Sequence, residues 1–194
     1  MDFSSGDMRE QGAQGGALPP LPRIWIGYLL GLVTIVAELV AISLHPELAK
    51  GSDIAKSEFV IPPLYLFLAS FVGFVYWFVC VYQIHVVLAR VPGWKHPISA
   101  ARAVGFHFIP VYFLYWMFKW PQEIARFVNG RLRRTVMKPV AIGVAVLLAL
   151  VMRLLDPGFG LILLFMPLSY VTRCVEYALA EPPASAHNFP ASLE

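Results

Sequence analysis

Glu38 is the clearest candidate for chemistry in this sequence, because it is an ionisable residue two-thirds of the way along a long apolar run. Ionisable groups at membrane depth are costly and are often functional. One interpretation is a protonatable or ion-binding carboxylate. The other is a hydrogen-bonded glutamate near the outer interface, and one acidic residue without a visible partner does not decide between them.

Four more polar residues, His85, His107, Arg173 and Glu176, lie in or beside apolar segments further along the chain. Arg173 and Glu176 are three residues apart, so on a helix they share a face and form a local ion pair. The alternative is that all four converge into one polar site, where an imidazole beside a carboxylate titrates near neutral pH. Their spacing matches no enzyme or metal site, and the phosphate-loop, dinucleotide, zinc-helix and nucleophile-elbow patterns are absent. We therefore predict no catalytic residue, no metal ligand and no cofactor.

The composition places these residues in a membrane protein. Hydrophobic residues make up 58% of the 194 residues and charged residues 14%, against about 45–50% and about 25% in soluble domains. The apolar residues are also bunched into long runs, whereas a soluble helix spaces them periodically. We therefore expect an integral membrane protein that crosses the bilayer several times as α-helices.

The apolar runs predict an all-α, polytopic membrane helix bundle with four transmembrane helices, each of about 20 residues to match a hydrocarbon core of about 30 Å. An additional apolar segment, 103–117, is broken midway by Pro110, and we interpret it as re-entrant or interfacial, with a fifth span as the alternative. Pro121 then begins an amphipathic helix, because proline suits a first helical turn. The predicted order is a disordered N-terminal tail at 1–22, a transmembrane domain at 23–180 and a C-terminal tail at 181–194. Within the transmembrane domain, the spans are expected at about 24–44, 61–88, 139–155 and 159–180, and the amphipathic helix at 121–129.

The distribution of basic residues favours the four-span arrangement. If 103–117 dips in and returns, residues 89–138 stay on one side, with Glu123 as the one acidic residue among many Lys and Arg residues. Cytoplasmic loops collect Lys and Arg, so this side is the cytoplasmic one, and both termini lie there. If 103–117 crosses the membrane instead, the basic loops 89–102 and 118–138 lie on opposite sides.

The basic stretch at 119–138 predicts a partner of its own. An amphipathic helix followed by clustered basic residues suits the anionic lipid headgroups of the cytoplasmic surface, at about 1 kcal/mol per basic residue. Fixing the topology is the alternative role, and the two are compatible. Nucleic acid is not expected to bind, because the charges lie tight against the membrane. The residues predicted to contact anionic lipid are Arg126, Arg131, Arg133, Arg134 and Lys138.

A series of short motifs lies between residues 82 and 129: Tyr82-Gln83-Ile84-His85, Pro97-Ile98-Ser99, Ala103-Val104-Gly105-Phe106, Phe108-Ile109-Pro110 and Tyr115-Trp116. This series resembles a family of uncharacterised bacterial multi-pass membrane proteins. In that family a helix, a Pro-Ile-Ser-like turn and a Phe-Ile-Pro segment follow one another. The resemblance covers about a quarter of the chain and implies a bacterial inner-membrane location, without implying an activity.

Two classes of function fit the sequence. The first is a non-enzymatic assembly or interaction component that presents helix faces to another membrane protein or to a second copy of itself. Small residues four apart, such as Gly27 and Gly31, favour it because they let another helix approach closely. The second is a small transporter or channel that uses Glu38 and the segment around Pro110, since broken helices occur at transport sites.

Overall fold

The computed structural model describes residues 18–44 and 63–181, and within those ranges the chain forms helices and connecting turns without a β-strand. The predicted all-α fold class is confirmed. The polar loop 45–58 and most of both predicted tails lie outside the described residues. The helices are α1 Ile24–Leu44, α2 Leu64–Ala89, α3 Ala100–Gly105, α4 Tyr112–Leu132, α5 Pro139–Leu155 and α6 Pro157–Ala180, with a short 3-10 helix at Phe106–Phe108.

Three helices, α1, α2 and α6, are long and apolar enough to cross a membrane. They contain 21, 26 and 24 residues, and a crossing needs about 20. The fourth apolar helix, α5, has 17 residues, which corresponds to about 26 Å at 1.5 Å per residue. Both α5 and α6 begin with proline, whose missing N–H has no partner to lose in a first turn.

Helix α6 lies at the centre of the bundle, in contact with α1, α2, α4 and α5. More than half of its apolar stretch is buried, whereas most of α1 and α2 faces outward. The contact between α1 and α6 depends on two glycines. A Cβ added to Gly27 would overlap the Phe165 ring, and one added to Gly31 would lie 2.6 Å from Ile162 Cγ1. The close approach predicted for this pair of small residues is confirmed.

The segment from α3 to α4 forms a helical hairpin, defined here as residues 100–132, whose two arms run antiparallel. Near its tip, the rings of Phe106 and Tyr112 lie 5.1 Å apart. Further down, Trp116 Nε1 donates to the Ala103 carbonyl over 2.8 Å. The predicted segment 103–117 therefore does not form one continuous helix, because the chain reverses direction within it.

The reversal occurs in a tight turn around Val111. Tyr112 N donates to the Pro110 carbonyl over 2.7 Å, while Val111 has φ 66° and ψ −47°. An i to i+2 hydrogen bond with positive φ at the central residue defines the rarer, strained form of γ-turn. A β-branched residue is unusual in this conformation. The hairpin tip is thus a strained turn directly after the predicted break at Pro110.

Helix α4 is a single helix of 21 residues that runs through Pro121. The predicted helix start at Pro121 is wrong. An internal proline removes one hydrogen bond and costs about 3 kcal/mol, but the residues on both sides of it are strongly buried. Trp116, Met117, Trp120 and Ile124 are each at most 1% exposed, and burying one large apolar side chain contributes about 1.5–3 kcal/mol. Packing therefore outweighs the local preference of the proline.

Candidate functional site

His85 and His96 form the centre of a polar cluster between α2 and the connection that follows it. His85 lies near the end of α2 and is fully buried. Its Nδ1 lies 2.7 Å from His96 Nε2. On the other side of the His96 ring, Trp94 Nε1 donates to His96 Nδ1 over 3.3 Å. The two imidazoles and the indole thus form a chain of hydrogen bonds from the connection into the core.

The direction of this chain follows from the donor inventory. An indole N–H only donates, and a neutral imidazole has one donor and one acceptor nitrogen. His96 Nδ1 therefore accepts from Trp94, and His96 Nε2 carries the proton that it donates to His85 Nδ1. His85 then carries its own proton on Nε2. This atom is buried and has no hydrogen-bond partner among residues 18–44 and 63–181.

His107 lies in the hairpin and faces the same core, but its donor and acceptor nitrogens are exchanged relative to those of His85. Its Nδ1 lies 2.9 Å from the Ala103 carbonyl, which also accepts from Trp116 Nε1. Since a carbonyl only accepts, His107 carries its proton on Nδ1, and Nε2 of the neutral ring is a lone-pair acceptor. In the described part of the chain, this Nε2 is also buried without a partner.

Two tryptophans complete the cluster. The Trp77 ring centroid lies 5.2 Å from that of His107 and 6.4 Å from that of Trp120, and both indoles are at most 1% exposed. Neither indole N–H has a partner within the described ranges. Buried polar groups are normally hydrogen-bonded, and exceptions call for an explanation. Within residues 18–44 and 63–181 the core thus holds four ring nitrogens of this kind, which we call the ring-nitrogen cluster: Trp77 Nε1, His85 Nε2, His107 Nε2 and Trp120 Nε1.

The outer end of the hydrogen-bond chain meets the surface. His96 is half-buried, and it lines a pocket of about 510 Å³ with Ala89, Gly93, Trp94 and Lys95. Burial lowers the pKa of His96 below its ordinary value, and the charge of Glu123 partly opposes this shift. His96 is therefore neutral at pH 7, which is the state that the direction of the chain requires.

Glu123 is the most deeply buried carboxylate among the described residues, at 2% exposure. It lies on α4, and its side chain is neutralised from the same helix. Lys119 Nζ lies 2.8 Å from one carboxylate oxygen, and Arg126 Nη1 donates to the other over 3.1 Å. A buried carboxylate is stable only when it is paired in this way.

The cluster is suited to hydrogen bonding and to holding the hairpin in place. It presents three donors and one acceptor on neutral rings inside an apolar core. In the parts of the chain that the structure describes, no group of three or more His, Cys, Asp or Glu side chains could hold a metal ion. Because His85 and Trp77 belong to α2 and the other rings to the segment 94–120, the contacts fix the hairpin against α2.

His85 and His107 do enter one core, but Arg173 and Glu176 do not join them. Helix α6 turns Val175, which is fully buried, and Cys174, which is 6% exposed, toward the core. The residues on either side, Arg173 and Glu176, are exposed, and no ion pair joins their side chains in the described structure. The predicted local pair is wrong, and the predicted four-residue site is reduced to its two histidines.

Glu38 lies at the opposite end of the bundle, at the start of α6. Gly158 N donates to Glu38 Oε1 over 2.7 Å, so the carboxylate of α1 caps a different helix. The N-terminus of a helix has unpaired N–H groups and a partial positive charge, both of which favour a carboxylate. This geometry matches the hydrogen-bonded alternative for Glu38.

No protein-family model, curated protein or solved structure matches this chain. The proposed function therefore rests on the helices and their contacts.

The predicted lipid-contacting residues surround the loop between α4 and α5. Arg131 donates to the Glu181 carbonyl over 3.0 Å, and Arg134 donates to the Tyr177 hydroxyl over 3.2 Å. These two side chains therefore anchor the loop to the end of α6. The remaining three residues of the predicted set, Arg126, Arg133 and Lys138, are exposed.

Sequence reasoning missed His96, Glu123, Trp77 and Trp120 as members of the site. His96 lies in a short polar connection, where a histidine is usually solvated. Trp77 and Trp120 lie in apolar segments, where an aromatic residue is usually core. A signal for Glu123 was present, since Lys119 and Arg126 flank it at the helical spacings of four and three residues.

Proposed function

We propose that this chain is a non-enzymatic, multi-pass component of a bacterial inner membrane that associates with another membrane protein through the outward faces of α1 and α2. Helices α1, α2, α5 and α6 cross the membrane, the hairpin enters from the cytoplasmic side, and both termini are cytoplasmic. The observation that carries the proposal is the contrast between the glycine face of α1, which is used inside the bundle, and its large outward apolar face.

The reversal in the hairpin supports four crossings. The Trp94 ring, before α3, lies 5.4 Å from the Phe127 ring near the end of α4. The end of α2 and the start of α5 therefore lie on the same side of the bundle. This keeps the basic residues of 89–138 together, as the positive-inside tendency requires. Helix α5 is short for a crossing, and local thinning of the bilayer accommodates such a helix at modest cost.

The hairpin tip supports insertion into lipid. Phe108 is 66% exposed and Val111 is 83% exposed, and these apolar side chains lie at the point where the hairpin reverses. Irregular backbone at membrane depth needs partners for its polar groups. The γ-turn supplies one, since Tyr112 N is bonded to the Pro110 carbonyl. A lipid-facing tip with its backbone donor satisfied fits a re-entrant segment.

The outward faces of α1 and α2 support the interaction role. On α1, Val36 is 52% exposed and Leu39 is 59% exposed, while on α2 Phe67 is 60% exposed and Leu68 is 48% exposed. These faces carry large side chains, because the glycines that allow close approach face α6. Large apolar faces suit lipid and partner helices alike, so the experiment must separate the two.

Site-specific photocross-linking in cell membranes tests the interaction role. A photoreactive amino acid at Val36 or Leu68 is expected to give a discrete protein adduct. The same amino acid at Val81, which is fully buried on α2, is the control and is expected to give none. Two differently tagged copies of the chain distinguish a second copy from a different protein. Adducts to lipid alone at both outward positions would overturn the interaction role.

The transporter alternative depends on Glu38, and its geometry supports that role less well. The carboxylate is engaged with Gly158 N at the start of α6. Reconstituted vesicles test the alternative by solute and proton flux. A flux that is lost in Glu38→Gln while the protein stays folded would favour transport over the interaction role.

A reporter domain fused after Glu194 tests the topology. A domain that is active only in the cytoplasm is expected to be active, and one that is active only outside it is expected to be silent. The reverse result would overturn the proposed four crossings with cytoplasmic termini.

A further inference from the structure

A groove lies between α2 and the turn that joins α5 to α6. Its volume is about 390 Å³, and its walls are almost entirely apolar. Phe67 and Phe71 are 60% and 49% exposed, so the groove opens to the outside of the bundle. Its lining consists of Leu66, Phe67, Ser70, Phe71, Phe74, Arg153 and Pro157.

Arg153 is the one cationic residue among the described residues that line the groove. Its Nη2 donates to Ser70 Oγ over 2.8 Å and to the Ser70 carbonyl over 3.3 Å. The guanidinium also lies over the Phe74 ring, 4.4 Å from its centroid. These contacts hold the planar group against one wall of the groove, so its orientation is fixed before anything binds.

The positive charge of Arg153 is not matched by a carboxylate in the described structure, where no ion pair involves it. The two nearby carboxylates, Glu38 and Asp156, each accept a hydrogen bond from a backbone N–H at the start of α6. Asp156 accepts from Phe159 N over 2.7 Å, and Glu38 accepts from Gly158 N. The Arg153 Nε is buried and has no partner within residues 18–44 and 63–181. Among the described residues the guanidinium forms its hydrogen bonds through Nη2, so Nη1 retains its N–H groups for a ligand.

The two properties of the groove together specify the chemistry of a ligand. Arginine presents a rigid fork of N–H donors that matches a phosphate or a carboxylate. Exposed phenylalanine walls suit a hydrocarbon chain. A molecule that combines an anionic headgroup with an acyl chain fits both.

We propose that the groove binds one anionic phospholipid, with the phosphate at Arg153 and an acyl chain that runs past Phe71 and Phe74 toward the middle of the membrane. The site is separate from the basic residues at 126–138, which lie at the other end of the bundle. It rests on the proposed membrane placement and is independent of the proposed protein partner, which is read out by adducts from Val36 and Leu68.

Native mass spectrometry of the detergent-purified full chain tests the proposal. The protein is mixed with equal amounts of a phosphatidylglycerol and a phosphatidylcholine of the same acyl chains. Preferential retention of phosphatidylglycerol is expected. Arg153→Gln is expected to lower that retention about tenfold, the size of the loss of one charge-assisted hydrogen bond. Arg153→Lys is expected to retain an intermediate amount, since lysine keeps the charge without the fork.

Two further variants keep the test decisive. Arg90→Gln removes an exposed basic residue at the other end of α2 and is the matched control for charge. Leu66→Trp narrows the groove without removing Arg153, so it covers the case in which Arg153→Gln fails to fold. Equal retention by the wild type, Arg153→Gln and Leu66→Trp would overturn the proposal. Displacement of the bound lipid by millimolar inorganic phosphate would show that the site recognises free phosphate and would also overturn it.

Discussion

The contact between α1 and α6 and the contact between α2 and the hairpin hold the same bundle together in opposite ways. Gly27 and Gly31 bring α1 close to α6, with no space for a further methyl group. Across the other contact, large rings fill the space, and Trp77 lies 5.2 Å from His107 and 6.4 Å from Trp120, measured between ring centroids.

The two contacts differ in what determines how the helices are placed against each other. At the first contact, the backbone shape determines the geometry. Small residues let two helices approach closely, and in lipid this close packing replaces the hydrophobic force that joins helices in water. At the second, side-chain volume and hydrogen-bond direction determine it. A substitution that adds atoms should therefore harm the first contact, and one that removes atoms should harm the second.

Trp77→Ala should produce the largest effect. The indole is 1% exposed, and truncation of a buried tryptophan costs about 3–5 kcal/mol. The free energy of unfolding, measured by denaturant titration in detergent, should fall by that amount. Trp25→Ala is the control, since Trp25 is 61% exposed, and it should change little. Equal effects of the two substitutions would show that the hairpin contact is not a packed core.

Gly31→Ala should have the next largest effect. The added Cβ would lie 2.6 Å from Ile162 Cγ1, and overpacking costs about 1–3 kcal/mol. Gly130→Ala, inside α4, is the matched control because a Cβ there meets nothing within 4 Å. It should stabilise by about 0.5–1 kcal/mol, since alanine is the better helix former. The comparison between the two contacts breaks down if both substitutions change the unfolding free energy with the same sign.

Glu38→Ala should cost about 1 kcal/mol, the usual loss when the side chain that caps a helix N-terminus is removed. Glu38→Gln should cost less, because an amide oxygen still accepts from Gly158 N. Thermal unfolding of the two variants in detergent separates these outcomes. No change in either variant would mean that the hydrogen bond to Gly158 contributes nothing to stability.

The smallest expected effect is the pH dependence that His96 contributes. Its folded pKa is lowered, so below the ordinary value of about 6.5 the unfolded chain binds the proton and the folded chain does not. Stability is therefore full above about pH 6.5 and falls on acidification, with a slope below about 1.4 kcal/mol per pH unit. Unfolding between about pH 7.5 and about pH 5 should show a shallower dependence in His96→Gln than in the wild type.

Glu123 provides the complementary variant. Its charge raises the pKa of His96 against the effect of burial, so Glu123→Gln should steepen the pH dependence. Identical slopes for the wild type and both variants would show that His96 does not contribute.

The long helices could be predicted from the sequence because their signals are local. Apolar runs bounded by proline and charge predicted helices over 24–44 and 139–155, and α1 and α5 occupy those ranges. The close approach of Gly27 and Gly31 was also predictable from their spacing. Pro110 marked the place where the hairpin breaks.

The remaining features depend on tertiary contacts that no local pattern specifies. Pro121 favoured a helix start, but burial of its neighbours keeps it inside α4. The pairing of His85 with His96 joins a helix to a loop, and the sequence does not show which turn brings the two rings together. Arg173 and Glu176 have the spacing of an ion pair, yet their face of α6 is turned away from the core.

The hairpin has a consequence for the order in which the chain assembles. The hydrogen bonds in this part of the chain join residues close in sequence. His85 of α2 and His96 of the connection are 11 positions apart, and Ala103 and Trp116 of the hairpin are 13 apart. The bonds that join α1 to α6 span 120 and 137 positions. During synthesis from the N-terminus, α2 and the hairpin can close on each other while α6 is still inside the ribosome. Until α6 emerges, the glycine face of α1 and the Glu38 carboxylate have no α6 to pack against, so both stay exposed in the nascent protein.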